Sequence, residues 1–276
     1  MRILANDGID QSAKILLESK GFFVETNKIS QEELASRISE FDVLLVRSAT
    51  KVTASIIEAG IPNLKLVGRA GVGLDNVDLV SAKANNVAVV NTPAASSTSV
   101  AELVFAHLFT GVRFLHDANR NMPLEGDTNF EGLKKAYANG IELRGKTIGI
   151  IGFGSIGTTI AKMLSGFTVE IIPFTQSGRD NTIAITDLDK HLPTLDVVIL
   201  ILPLTKESKH LFDAKRLSLL KDGALLVNVA RGPIVETDAL VKELNSGRIT
   251  AALDVTDPEP LPKDHPLWRA KGVLIS

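Results

Sequence analysis

Lys146-Thr-Ile-Gly-Ile-Ile-Gly-Phe-Gly-Ser-Ile-Gly-Thr-Thr-Ile-Ala-Lys-Met-Leu164 decides the reading of this 276-residue chain. Residues 147–151 are an apolar run of strand length, and the spacing that follows predicts an amphipathic helix from about Ser155 to Leu164. Between the two stands G-x-G-x-x-G, at Gly152, Gly154 and Gly157. In such a turn the first glycine permits the tight bend and the second lets backbone approach a pyrophosphate. The third lets helix and strand pack closely. The helix start at Ser155 and Ile156 then offers N–H groups and a positive dipole end to phosphates. Alone, a glycine-rich turn can be purely structural. Set between strand and helix, it points to a bound dinucleotide.

One companion of the motif is missing. The second strand, about Thr168–Phe174, is expected to end in an acid that accepts from the adenosine ribose hydroxyls of NAD. Here the strand end reads Phe174-Thr-Gln-Ser-Gly-Arg179, with no carboxylate before Asp180. Glu170 falls inside the strand, where a solvated face suits it. Without the acid nothing repels a 2′-phosphate, and Ser177 and Arg179 could bind one. NADP therefore stays open beside NAD, which the hydroxyls of Thr175 and Ser177 could hold.

Composition narrows the class. The chain is 45% hydrophobic and 22% charged, as in a soluble globular protein with a well-filled core. A net charge of −2 gives no global basic field for nucleic acid or an anionic membrane. The absence of cysteine excludes a disulfide framework and thiolate metal or redox sites. No apolar stretch approaches the roughly 20 residues of a membrane helix. Met1-Arg-Ile-Leu-Ala5 runs directly into polar Asn6-Asp-Gly8, without the pattern of a secretion signal. A cytoplasmic protein is the simplest expectation.

Short apolar runs alternate with helical patterns throughout, which predicts parallel sheets with crossover helices. In the N-terminal part the expected strands are Arg2–Ala5, Gly21–Glu25, Val43–Val46, Leu64–Val67 and Val87–Val90. Helices are expected over Ser12–Ser19, Gln31–Ser39 and Thr53–Ala59. A second unit opens with one long helix, Ser97–Asn121, then a polar segment, Met122–Gly140, then the fingerprint. Its further strands are Val197–Leu202, Ala224–Val229, Ile249–Leu253 and Val273–Ile275, with helices about Ala214–Leu219 and Glu236–Ser246. The expectation is two doubly wound α/β domains. Residues 1–95 would form a flavodoxin-like substrate domain and 96–276 a Rossmann cofactor domain, with the site in the cleft between them.

Further ordered motifs give the chain a resemblance. They are Val46-Arg-Ser-Ala-Thr-Lys-Val-Thr53, Val67-Gly-Arg-Ala-Gly-Val-Gly-Leu-Asp-Asn-Val-Asp78, Asn91-Thr-Pro93, Pro203-Leu-Thr205, Val227-Asn-Val-Ala-Arg-Gly-Pro-Ile-Val-Glu236 and Ala252-Leu-Asp-Val-Thr-Asp-Pro-Glu-Pro260. With the fingerprint, they resemble the D-2-hydroxyacid dehydrogenases over essentially the whole chain, and the first two favour the phosphoglycerate branch of that family. The resemblance implies hydride transfer between a phosphorylated 2-hydroxy acid and a nicotinamide cofactor, as in the opening step of serine biosynthesis. It also implies a homodimer, paired through Ser97–Asn121 and the arm after it. A glyoxylate or hydroxypyruvate reductase is the near alternative. A non-catalytic NAD(H)-sensing scaffold or corepressor is the distant one.

The resemblance also assigns residues. Arg231, just past a strand, is the catalytic arginine, whose guanidinium can grip a substrate carboxylate and the carbonyl oxygen. Glu259, between two prolines, is the carboxylate that orients a histidine and raises its pKa. Asp254 accepts from the nicotinamide carboxamide; a plain strand-end turn is the other reading. The cofactor would further touch Val72, Gly152, Gly154, Ser155, Ile156, Gly157, Thr175, Leu202, Pro203, Val229 and Ala230. Gly71, Val72 and Gly73 would aim backbone N–H groups at the substrate carboxylate. Arg47 and Arg69, each at a strand end, suit a substrate phosphate, and either would equally serve in a structural salt bridge. No cluster has metal-ligand spacing, and no metal is expected.

The family's proton carrier is a histidine shortly after the last cofactor-domain strand. None of the five histidines stands there: His107 and His116 fall on the long helix, the former packed or capping, and His191, His210 and His265 in loops or short turns. Because Gly272-Val-Leu-Ile-Ser276 reads as that last strand, the chain is expected to be cut short just before the histidine, and so to bind cofactor but turn over poorly.

Overall fold

The computed structural model describes residues 1–276 as two compact units, Met1–Ser96 and Ser97–Ser276. In the first, five strands alternate with four helices: β1 Arg2–Ala5, α1 Gln11–Ser19, β2 Phe23–Glu25, α2 Gln31–Arg37, β3 Val43–Val46, α3 Ala54–Ala59, β4 Leu66–Arg69, α4 Leu79–Ala84 and β5 Ala88–Asn91. The sheet is wholly parallel in the order β2-β1-β3-β4-β5, the flavodoxin-like order. Alternation along the strands sorts the side chains between two layers. Leu4, Leu44, Val46 and Val67 pack with Leu34, Ile56 and Ile57, while Ile3, Val24 and Val43 pack with Leu17 and Phe22 on the other face.

The second unit begins with α5 Ser97–Val112, α6 Leu115–Glu125 and α7 Phe130–Tyr137. Then follow β6 Thr147–Ile151, α8 Ser155–Leu164, β7 Glu170–Thr175, β8 Ile183–Ala184, α9 Leu188–His191, β9 Val197–Leu200, α10 Ala214–Leu219, β10 Leu225–Asn228, α11 Thr237–Ser246, β11 Thr250–Leu253 and β12 Val273–Ile275. Seven parallel strands lie in the order β12-β11-β10-β9-β6-β7-β8, so the order reverses between β6 and β9, as in a Rossmann sheet. Every residue of β9 and β10 is buried, because helices cover both faces and a strand there needs no polar side. Ile148, Ile150, Val197 and Ile199 face α5 and α8, while Ile151, Val198, Leu200 and Leu226 face the layer of α10 and α11.

Several expectations are corrected. The single helix over Ser97–Asn121 is two helices bent by 52°, because Phe114 takes a left-handed conformation that ends the helical ladder. The segment Met122–Gly140 is not merely polar connection. It carries the end of α6 and all of α7, where Phe130, Leu133 and Tyr137 recur at helical spacing and Leu133 is buried. The strands placed at Leu64–Val67 and Val87–Val90 each lie further along, at Leu66–Arg69 and Ala88–Asn91. Residues 64 and 87 are buried approach to the strands, and their apolarity blurs the boundary. The short elements α4, β8 and α9, of six, two and four residues, were not among the expected ones. No single helix is long and apolar enough to cross a membrane.

One strand carries a proline within it. Glu170 donates its N–H to Lys146 and Phe174 accepts from the N–H of Gly152, so both face β6. Alternation turns Pro173 to the opposite side, where β8 pairs only with Phe174 and Thr175. Its missing N–H costs the sheet no bond.

Candidate active site

Parallel pairing brings the carboxyl ends of the second sheet to one edge. Ile151, Leu200, Asn228, Leu253 and Ile275 lie in one register row. The residues one step beyond them, Gly152, Ile201, Val229, Asp254 and Ser276, therefore form the rim, with Thr175 ending β7 beside Gly152. Of the expected cofactor residues, the rim and its loops carry Gly152, Gly154, Ser155, Ile156, Gly157, Thr175, Leu202, Pro203, Val229, Ala230, Arg231 and Asp254. Val72 belongs to the first unit.

The three glycines do three different things. Gly152 has φ +103°, and a Cβ there would stand 2.6 Å from the carbonyl oxygen of Ile201. At Gly157 a Cβ would meet the Gly152 carbonyl at 2.4 Å, so helix and turn touch backbone to backbone. A Cβ on Gly154 would meet nothing within 4 Å: the space in front of it is open. Gly154 is also the N-cap of α8, and no side chain caps that helix. An open glycine before an uncapped helix start, at the point where strand order reverses, fits a diphosphate.

At the end of β7, Thr175 Oγ1 accepts from the Gly178 N–H at 3.1 Å and lies 2.6 Å from Thr182 Oγ1. The turn is closed by hydroxyls, not by a carboxylate, and Arg179 is exposed. Beyond β9, Leu202 is buried while the loop from Pro203 is pinned by Ser208, whose hydroxyl donates to the Pro203 carbonyl and accepts from the Thr205 N–H, each at 2.7 Å.

Arg231 is held by what surrounds it. The buried Asn228 side chain accepts from the Ala230 N–H and donates to the Arg231 carbonyl, both at 3.0 Å, closing the turn. The guanidinium Nη1 donates to the Ala230 carbonyl at 2.6 Å. Gly232 packs on the next loop so closely that a Cβ would stand 1.9 Å from the Thr256 carbonyl oxygen. The turn bearing Arg231 and the loop leading to Glu259 are thereby locked together. Thr237 Oγ1 donating to Asp257 (2.8 Å) and Thr256 Oγ1 donating to Pro258 (2.9 Å) fix that loop further, leaving Glu259 exposed.

In the first unit the rim is built the same way. Val46, Arg69 and Asn91 share a register row, and Arg47 follows at once. The Arg69 guanidinium lies over Gly71, where a Cβ would collide with it; Gly71 has φ +149°. Asn91 Nδ2 donates to the Val72 carbonyl at 2.7 Å and Thr92 N–H to the Gly71 carbonyl at 3.1 Å, shaping the Gly71–Gly73 turn. The turn after β3 is clamped from β1. Asp7 Oδ2 accepts from the N–H of Arg47 (2.7 Å) and of Thr50 (3.1 Å), and its Oδ1 from the Thr50 hydroxyl (2.7 Å). Asn76 Nδ2 donates to the carbonyls of Arg47 and Thr50, both at 2.8 Å. Burial alone would push the Asp7 carboxyl up, but these donors prevail and hold it below its ordinary value.

Sequence reasoning passed over Asp7, Thr50, Asn76, Asn228 and Ser208. For Asp7, Thr50 and Asn228 the available signal was position: each is a small polar residue at or a few residues past the carboxyl end of a strand, where loops need side-chain bonds, whereas Asn76 and Ser208 lie well inside longer loops.

The histidines have other partners. His265 Nδ1 accepts from the Leu267 N–H, His191 meets the Phe174 ring edge-on, and His116 lies 3.4 Å from an Arg120 nitrogen. His210 bonds through its backbone to Pro233. His107 is buried in α5.

Residues 105–276 match the family model of the D-isomer specific 2-hydroxyacid dehydrogenase NAD binding domain. The chain is 40% identical to the hydroxypyruvate reductase of Thermotoga maritima, over 94% of this chain and 84% of that protein. It is 36% identical to the D-3-phosphoglycerate dehydrogenase of Methanocaldococcus jannaschii, over 99% of this chain. It spans only about half of that longer relative, 52%. Among solved structures, the NAD-dependent formate dehydrogenase of Staphylococcus aureus in complex with NAD superposes with a TM-score of 0.82 at 31% identity, covering all of this chain and 88% of that one.

Proposed function

Since the chain belongs to the D-isomer specific 2-hydroxyacid dehydrogenases, we propose that its substrate within that family is D-3-phosphoglycerate, oxidised at C2 to 3-phosphohydroxypyruvate. The second unit is the NAD-binding domain, and the bound nicotinamide supplies the hydride chemistry. The chain's own work is placement and charge. The Gly71–Gly73 turn offers backbone N–H groups to the substrate carboxylate. Arg231, its turn fixed by Asn228 and Gly232, grips carboxylate and C2 oxygen and favours the polarised carbonyl. Glu259, on its stiff loop, is the carboxylate set to orient a proton-carrying imidazole, which none of this chain's five histidines supplies. Two copies pair by way of α5 to α7, where Leu115, Leu124 and Phe130 are exposed, and the enzyme works in the cytoplasm.

The observation that carries the substrate assignment is the clamp on Arg47. Three bonds to Asp7 and two from Asn76 hold a turn whose arginine is exposed at the sheet rim, an arrangement suited to a second, phosphate-sized anion. Steady-state rates on phosphohydroxypyruvate and hydroxypyruvate test it. The phosphorylated substrate should have the higher kcat/KM by about ten- to hundredfold, the worth of one charge-assisted pair. Arg47→Ala should erase the preference. Equal rates on both would overturn it.

One observation favours a second reading, reduction of hydroxypyruvate or glyoxylate with NADPH: the hydroxyl-closed end of β7, which leaves room for a 2′-phosphate near Ser177 and Arg179. A preference for NADPH together with the unphosphorylated substrate would establish it.

A further inference from the structure

A buried imidazole stands behind Asp254. His107, on the face of α5 that packs against the sheet, is 3% exposed, and its Nε2 lies 3.2 Å from Ser276 Oγ. The same hydroxyl donates to Asp254 Oδ1 at 3.2 Å. Main chain sets the spacing. Asp254 N–H bonds to the Asn228 carbonyl and Ser276 N–H to the Leu253 carbonyl, both at 3.0 Å, so the two residues are rim neighbours on adjacent strands.

The direction of each proton follows from valence. A carboxylate only accepts, so the single hydroxyl proton of Ser276 points to Asp254. The hydroxyl oxygen must then accept, and Nε2 must carry the hydrogen. Burial pulls the His107 pKa below its ordinary value, against the upward pull of Asp254, which favours the uncharged ring.

We infer that His107 and Ser276 are positioning residues for Asp254: the chain Nε2–H···Oγ–H···Oδ1 fixes the rotation of the carboxylate, occupying Oδ1 and leaving Oδ2 to accept an N–H from the nicotinamide end of the cofactor. This rests on Asp254 being the carboxamide's partner. A carboxylate that is free to rotate shares its time among orientations. One held from behind meets the carboxamide already aimed, and more of the contact survives as binding.

The test compares NADH with ADP-ribose, which lacks the nicotinamide, by calorimetric titration of the full chain. Ser276→Ala and His107→Phe should each weaken NADH about three- to tenfold, the loss of one modest hydrogen bond, and leave ADP-ribose within about twofold. His107→Gln, whose amide can still donate, should recover most of the loss. Ser276→Ala removes one exposed hydroxyl, so the test stands even if His107→Phe fails to fold. Unchanged NADH affinity in Ser276→Ala, beside a clear loss in Asp254→Asn, would overturn the inference and spare the role of Asp254. Equal weakening of both ligands would also overturn it, marking a packing role. Should Asp254→Asn itself fail to separate NADH from ADP-ribose, the carboxamide reading falls, and the inference with it.

Discussion

Asp7 is one carboxylate with three donors, and its charge should be visible in the stability of the first unit. Its native pKa lies below the unfolded value of 3.8. The stabilisation it gives is therefore complete above that value and is lost as pH falls through the lower native pKa. Asp7→Asn should cost about 1–3 kcal/mol in urea denaturation at pH 7, the price of charge-assisted bonds, and the gap from the parent should narrow below about pH 4. A gap independent of pH would deny the carboxylate its role. Gly152 makes the complementary case for shape. Gly152→Ala forces a side chain to φ +103° against the Ile201 carbonyl. It should cost about 1–3 kcal/mol of stability and abolish saturable NADH binding. Among these residues the glycines were legible, because their chemistry is local and their spacing is the message. Asp7 and Asn228 were not, since the atoms they bind come from strands distant in sequence or from a turn whose path only the fold defines.

At the scale of elements, alternation and apolar runs revealed every strand but β8, and both sheets therefore followed. What escaped was punctuation. The break at Phe114 is announced only by Gly111 in the last turn of α5, and the left-handed residue itself is an aromatic whose ring sits 6.2 Å from that of Tyr137. Conversely, the glycines at 126, 132 and 140 signalled loop across a stretch that forms α7. Here tertiary burial of Leu133 overrides propensity. The end of β7 is the element on which cofactor choice turns. Thr175→Asp would place a carboxylate where the turn now has a hydroxyl. It should weaken NADPH about tenfold or more in fluorescence titration while NADH holds or improves, because a 2′-phosphate would face like charge. Parallel losses for both nucleotides would show only that the turn had been damaged.

Across the whole molecule, each unit has its own core, and damage to one should stay there. Leu44→Ala empties a fully buried position in the first sheet and should cost that unit about 2–5 kcal/mol. NADH affinity should remain within about twofold, since the fingerprint lies in a separate core. A large loss of affinity would mean the units share stability as well as chain. Pro173 has a consequence of another kind. Beyond the two residues that β8 covers, the flank of β7 would be an invitation for a stray segment to join the sheet, were every amide there able to donate. The pyrrolidine ring breaks that template midway, so this border of the protein resists fibrous stacking through its own covalent geometry.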